Sequence, residues 1–330
     1  MRNRDYFTTK LKLKPTRSFN FDLSARIFSD GDVQIQRYQE GVYWQVIRID
    51  GRLILSRVMA SESFDGQDIS VELNSNQEIS AHQMRLAGET ISSIFNMKME
   101  LRRFYEEIRD DRTLSAIASK LKGLRSPTTP TVFEALVSSI VEQQIALNVA
   151  LGMENRVVKA FGEPLRIGSA VYYAFPTSPN IMSATDEQLR KCGLSQRKVQ
   201  YIKGISRAIV DGEVDLEKFK SYEDTSEIIR ELDAIRGVGV WTAELTTIRG
   251  MRRMDAFPAD DLGVRRCISH YYTKDRRISA QEARAIAEKW GKWKGLASFY
   301  LIMAEALGLK AEPLATKSAS VEHGTTRELS

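Results

Sequence analysis

Hydrophobic and polar residues alternate with period two through the first 75 residues, then switch to a helical period. Lys10-Leu11-Lys12-Leu13-Lys14 puts its leucines on one face and its lysines on the other, the pattern of a half-buried strand. Asp30-Gly31 lies between Ala25-Arg26-Ile27-Phe28 and Val33-Gln34-Ile35-Gln36. Asp50-Gly51 lies between Tyr43-Trp44-Gln45-Val46-Ile47 and Leu53-Ile54-Leu55. Asp-Gly between two β-rich runs predicts a tight hairpin, because both turn residues need positive φ. Ile69-Ser70-Val71-Glu72-Leu73 predicts one more strand. Residues 1–100 are therefore expected to form a small antiparallel sheet with a helix or two packed on it.

After residue 78 the apolar positions recur every three or four residues. Val132, Leu136 and Ile140 form one row, and Phe133, Val137, Val141 and Ile145 the next. Thr185 with Gln188 predicts a capping box, and Gly193 is placed to end that short helix. Val199, Ile202, Ile205 and Ile209 stripe the following helix, whose other positions carry Arg197, Lys198, Lys203 and Arg207. Ile228, Leu232 and Ile235 give another stripe, and Ser279 with Glu282 caps a late helix. Residues 101–310 read as a helical region. Residues 311–330 lack periodicity and read as a disordered tail. The fold class is α+β: an antiparallel sheet domain, then a mostly helical region of two subdomains.

Composition narrows the function classes. The chain has 330 residues, 48 Lys+Arg against 43 Asp+Glu, a net charge of +5 and a hydrophobic share of 42%. Its sequence pI is about 9.0. Ordinary apolar content and low net charge exclude disorder for the bulk of the chain. Two cysteines, Cys192 and Cys267, cannot build a disulfide framework, a four-thiolate zinc site or an all-cysteine iron–sulfur cluster. No 18-residue apolar run exists, and the first residues carry no signal-peptide core, so no membrane partner is expected. The mild positive charge permits a nucleic-acid partner without requiring one.

The most informative stretch is Leu232-Asp233-Ala234-Ile235-Arg236-Gly237-Val238-Gly239-Val240-Trp241-Thr242-Ala243-Glu244. A helical stripe ends, two glycines bracket one apolar residue, and a second helix begins. Gly237 and Gly239 allow a tight turn and a close backbone approach. Free amides at the start of the second helix could hold a phosphate, which fixes position without reading sequence. Spacing alone leaves a plain glycine turn open as well. It speaks against half of a dinucleotide fingerprint, since the preceding segment is helical rather than a strand.

Leu-x-x-Ile-x-Gly-Val-Gly-x-Trp-Thr-Ala resembles the helix-hairpin-helix of the DNA glycosylase superfamily, known as HhH-GPD. The later segment Phe257-Pro258-Ala259-Asp260-Asp261-Leu262 is similar to the Pro-x-Asp-Asp of its 3-methyladenine DNA glycosylase II branch, the AlkA type. Ser139-Ile140-Val141-Glu142-Gln143-Gln144-Ile145, Cys192-Gly193-Leu194 with Arg197-Lys198, and Trp290-Gly291-Lys292-Trp293-Lys294 resemble further family segments. The resemblance covers roughly residues 20 to 310.

The resemblance implies a base-excision-repair hydrolase acting on damaged double-stranded DNA. Its catalytic acid would be Asp261, twenty residues after Trp241. Breaking a base–sugar bond leaves an oxocarbenium-like sugar, which a carboxylate can stabilise while it orients the attacking water. Asp260-Asp261 would also suit the N-cap and first turn of the next helix, and the two roles are compatible. Trp241, Trp293, Leu245 and Leu262 fall on the family's base-pocket positions, the two leucines where relatives carry aromatics. A cationic alkylpurine over a tryptophan face gains on the order of 0.5–2 kcal/mol. Gln144, or its neighbour Gln143, would fill the stack vacated by the flipped base. Gly237, Val238 and Gly239 would grip phosphate. The carbonyls of Asp233, Ile235 and Val238 would share a monovalent Na or K ion with it.

Bifunctional relatives carry a lysine where Trp241 stands, so a monofunctional enzyme is expected. No cofactor is required by this chemistry, and no zinc or nucleotide motif occurs. The chain is expected to be a monomer, cytoplasmic and nucleoid-associated if prokaryotic, nuclear if eukaryotic. The leading expectation is release of alkylated purines of the 3-methyladenine and 7-methylguanine class. The alternatives are the same chemistry on hypoxanthine, uracil or oxidised guanine, and a non-catalytic DNA-damage-binding protein.

Overall fold

The computed structural model describes residues 6–61 and 68–310. The expected tail at 311–330 lies outside the described residues. The first layer is a five-stranded antiparallel sheet of β1 (Phe7–Leu13), β2 (Gln36–Gln39), β3 (Val42–Ile49), β4 (Arg52–Ala60) and β5 (Ile69–Ser75). Its strand order is β1-β5-β4-β3-β2. Asp50 (φ 49°) and Gly51 (φ 75°) form the β3–β4 turn with the positive angles expected of Asp-Gly. Ile49 pairs with Arg52 across it. Glu40 and Gly41, at φ 53° and 77°, make an equivalent turn between β2 and β3 that the sequence pattern did not flag.

The hairpin expected at Asp30-Gly31 does not form. Residues 21–28 are instead a short helix, α1 (Phe21–Ala25), and a 3-10 turn. The Asn20 side chain accepts from the Leu23 amide at 3.0 Å and starts the helix. Phe21 and Ala25, spaced i,i+4, are buried against the sheet. That burial outweighs the β-like look of Ala25-Arg26-Ile27-Phe28.

The helices are α2 (Ala81–Ile94), α3 (Leu101–Glu107), α4 (Arg112–Lys120), α5 (Val132–Glu142), α6 (Leu147–Phe161), α7 (Ser178–Ser183), α8 (Asp186–Lys191), α9 (Gln196–Val210), α10 (Thr225–Asp233), α11 (Val240–Met251), α12 (Leu262–Tyr272), α13 (Ala280–Ala287) and α14 (Lys294–Ala306). The capping boxes at Thr185–Gln188 and Ser279–Glu282 are both present. Helix α5 stops at Glu142, so Ile145 extends the expected row only as a packed loop residue. One feature breaks the helical reading after residue 78: β6 (Pro164–Ile167) and β7 (Ala170–Tyr173) form a small antiparallel hairpin. Leu165 and Ile167 bury the outer face of the sheet with Val46, Leu53 and Leu55.

Two apolar cores divide the helical region. One joins α5–α11; the other joins α3, α4, α12, α13 and α14 around Trp290 and Tyr300. Arg125 ties the sheet domain to the helices. Its Nη1 donates to Asn96 O at 2.8 Å, and its Nη2 donates to Thr16 O and Thr16 Oγ1 at 3.0 and 2.8 Å.

Glu134 of α5 is buried against the sheet, and Gln45 Nε2 donates to its Oε1 at 3.4 Å. Burial, and then the charge of Glu154, pushes its carboxyl up to about 8. The folded state therefore favours the protonated acid. This contribution to stability is complete below the ordinary value of 4.5 and is lost as pH climbs through about 8. Glu134→Gln should leave Tm unchanged near pH 5 and raise it by about 3 °C at pH 9. A Tm–pH profile running parallel to wild type would show that Glu134 carries no such penalty.

Candidate active site

Helices α10 and α11 are joined by the loop 234–239, which closes the predicted hairpin. Gly237 adopts φ +94°, and a Cβ there would lie 2.2 Å from Cγ of Tyr201. Only glycine satisfies both the angle and the ring. Gly239 differs: its φ is −93°, and a Cβ would meet nothing within 4 Å. It is the N-cap of α11, and no side chain caps the helix there. The first amides of α11 have no intrahelical acceptor and open outward, where the macrodipole favours an anion. Val238 departs from expectation. Its amide donates to Ile235 O at 3.0 Å and its side chain is buried, so that amide is not one of the open ones.

Asp261 is the N-cap of α12, where its Oδ1 accepts from the Val264 amide at 2.9 Å. Its Oδ2 accepts from the Trp241 indole N–H at 3.0 Å. One carboxylate thus caps a helix and faces the second helix of the hairpin, and the N-cap falls on Asp261 itself. Asp260 is exposed, and its backbone carbonyl accepts from Arg265 Nη2 at 3.5 Å.

Trp241 and Leu245 lie one turn apart on α11, Leu245 buried and Trp241 partly open. Leu262, the residue after Asp261, is 76% exposed at the start of α12. Trp293 is 8% exposed and packs edge-on to Phe104, with centroids 5.7 Å apart. It is core-packed in this structure rather than presented on an open face.

The two glutamines after α5 have different fates. Gln143 Nε2 donates to Gly237 O and Thr242 Oγ1, each at 2.9 Å, binding this turn to the hairpin. Gln144 is exposed at the tip with φ 58°, a left-handed angle uncommon outside glycine. Lys198 of α9 fixes the same turn: its Nζ donates to Val141 O and Gln143 O at 2.8 Å each. Burial lowers its pKa. Sequence placed Lys198 beside the apolar stripe of its helix without this role, because a lysine on a helix carries no sign of the carbonyls it will meet. Among the described residues no group of three or more His, Cys, Asp or Glu is arranged to hold a metal ion.

A glycine-hinged helical pair with open amides, set against a helix-capping carboxylate, makes a helix-hairpin-helix arrangement. The chain belongs to the HhH-GPD superfamily of base excision DNA repair proteins, whose family model matches residues 137–292. It is 31% identical over 250 residues to a DNA-3-methyladenine glycosylase of Bacillus subtilis, covering 75% of this chain and 82% of that one. It is 25% identical over 190 residues to DNA-3-methyladenine glycosylase 2 of Escherichia coli, covering 57% of this chain and 63% of the relative. Among solved structures, the 3-methyladenine DNA glycosylase of Archaeoglobus fulgidus superposes with a TM-score of 0.80 at 27% identity, over 91% of this chain and all of that one. An 8-oxoguanine glycosylase/lyase of Clostridium acetobutylicum shares the fold, with a TM-score of 0.70 at 22% identity.

Proposed function

We propose that this DNA glycosylase is monofunctional and releases alkylated purines from double-stranded DNA. The observation that carries the reading is the Asp261–Trp241 contact at 3.0 Å, which joins the acid to the hairpin. The open amides from Gly239 onward bind the backbone phosphate. Gln144, pushed outward at the tip of its turn, enters the stack as the base leaves it, while Gln143 keeps the turn seated on the hairpin. The extruded base lies along Trp241 and Leu245, with Leu262 at the mouth and Trp293 backing the wall from the core. Asp261 then faces the deoxyribose. As the base departs with the bonding electrons, positive charge grows on the sugar; the carboxylate stabilises it, directs a water to the anomeric carbon and takes that water's proton as the C–O bond forms, releasing it later to solvent. An N-alkylated purine leaves as a neutral base, so no strong general acid is needed.

A lysine nucleophile would be needed to form a Schiff base and cut the strand, and α11 contains none from Val240 to Met251. The test is a lesion panel: methylated DNA and single-lesion duplexes incubated with the protein, the freed bases identified, and borohydride added in parallel. The expected result is 3-methyladenine and 7-methylguanine release with no covalent protein–DNA adduct. Release of only hypoxanthine, uracil or 8-oxoguanine would overturn the substrate class. A trapped adduct would overturn the monofunctional assignment.

A further inference from the structure

Trp241, Leu245 and Arg249 follow one another at i, i+4 and i+8, so they form one row along α11 that starts at Asp261. The row ends in a charge rather than a hydrophobe. Arg249 Nη1 donates to Glu142 Oε1 at 2.7 Å, and the arginine side chain keeps 32% of its surface open. Glu142 is the last residue of α5, directly before the turn that carries Gln143 and Gln144. Burial works against the guanidinium charge, but Glu142, Glu154 and Asp261 outweigh it and hold the pKa above its usual value. All three carboxylates therefore sense the same cation. Glu154 is itself pushed up to about 7 by burial and by Glu142, opposed by Ser138 and Arg249. Glu142 takes one arm of the planar fork, and the other nitrogens are not sealed donors without partners.

An arginine offers only donors, in a fixed plane. Along a row whose other members are an indole engaged by Asp261 and a leucine, Arg249 supplies the one strong hydrogen-bonding group for a base edge. A purine with oxygen at C6 presents an acceptor to it, whereas a purine with an amino group there presents a second donor and leaves both unpaired. We infer that Arg249, held in place by Glu142, is a specificity-determining residue that donates to the 6-oxo oxygen of the extruded base, so that the site favours 6-oxopurine lesions. This rests on the glycosylase reading above and adds to it the edge that is recognised.

Methylated DNA supplies both kinds of base in one tube: 7-methylguanine carries the 6-oxo group and 3-methyladenine the 6-amino group. The measurement is kcat/KM for release of each, for wild type, Arg249→Met and Arg249→Lys. The ratio of the two is read within one preparation, so a partly folded variant does not distort it. Lysine keeps the charge beside Glu142 and Glu154 but loses the fork, which covers the case in which methionine disrupts folding. Both variants are expected to lower 7-methylguanine release about tenfold or more relative to 3-methyladenine release. An equal loss of both, or a smaller loss for 7-methylguanine, would overturn the inference, as would wild-type release of 3-methyladenine alone. Wild-type protein that releases no base would instead defeat the glycosylase reading.

Discussion

Asp261→Asn should abolish base release while DNA binding stays intact or tightens. Asparagine is as good an N-cap as aspartate, so its side-chain oxygen can still accept from the Val264 amide, and α12 should keep its start. The change removes the negative charge that faces the sugar. It also confronts the Trp241 indole N–H with an amide that has one acceptor where the carboxylate had two. Charge stabilisation in a shielded site is worth roughly 10²–10³ in rate per interaction, and here the lost group also directs the water. Single-turnover release should fall by about 10³ or more, with stability within about 0.5 kcal/mol of wild type. Binding to a lesion duplex should not weaken, because removing an anion near phosphates removes repulsion. Asp260→Asn, on the exposed neighbour, should stay within a few-fold of wild type. Turnover retained in Asp261→Asn, or lost only in Asp260→Asn, would mean that the wrong carboxylate has been assigned.

The parts of this site that could be read from sequence are those in which a local constraint leaves a local mark. Gly237 is demanded by an angle and a ring, Asp50-Gly51 by a turn, and Thr185 and Ser279 by orphan amides three residues on. Each of these shows in the residue type itself. Asp261 stood out only because its segment resembles one of a known family, and the structure adds a physical link that the residues alone did not show: its carboxylate accepts from the Trp241 indole. The misreadings all have a tertiary cause. Ala25-Arg26-Ile27-Phe28 looks β-like but is helical, because Phe21 and Ala25 find the sheet one helical turn apart. The β6–β7 hairpin is too short to announce itself and is sustained by the apolar face it covers. Lys198 reads as a polar position on its helix and Gln143 as a candidate for the vacated stack, until the fold brings the Val141 carbonyl of α5 and the Gly237 carbonyl of the hairpin within 3 Å of them. The Glu142–Arg249 pair spans 107 residues, and nothing in either local sequence points to the other.

The two hairpin glycines should respond in opposite ways to substitution. Gly237→Ala places a methyl group inside the Tyr201 ring contact, 2.2–2.5 Å from three ring carbons, on a backbone at φ +94°. The left-handed angle costs about 1–2 kcal/mol for a residue with a Cβ, and the clash forces the ring or the loop to move as well. A loss of about 2–4 kcal/mol is expected, read as a fall in Tm, together with weaker DNA binding because the loop carries the open amides. Gly239→Asp meets neither obstacle, since φ is −93° and the surrounding space is empty. Aspartate is a better N-cap than glycine, and its charge complements the helix dipole, so stability should hold or rise slightly. That same carboxylate would occupy the place offered to a phosphate, satisfying the amides and repelling the backbone. Kd for a duplex measured at fixed salt should rise at least about tenfold, from the loss of charge-assisted hydrogen bonds worth about 1.5–3 kcal/mol. The pair separates fold from function within three residues. If Gly239→Asp binds DNA like wild type, the phosphate grip lies elsewhere on the surface; if Gly237→Ala melts like wild type, the loop accommodates a methyl group that the Tyr201 ring leaves no room for.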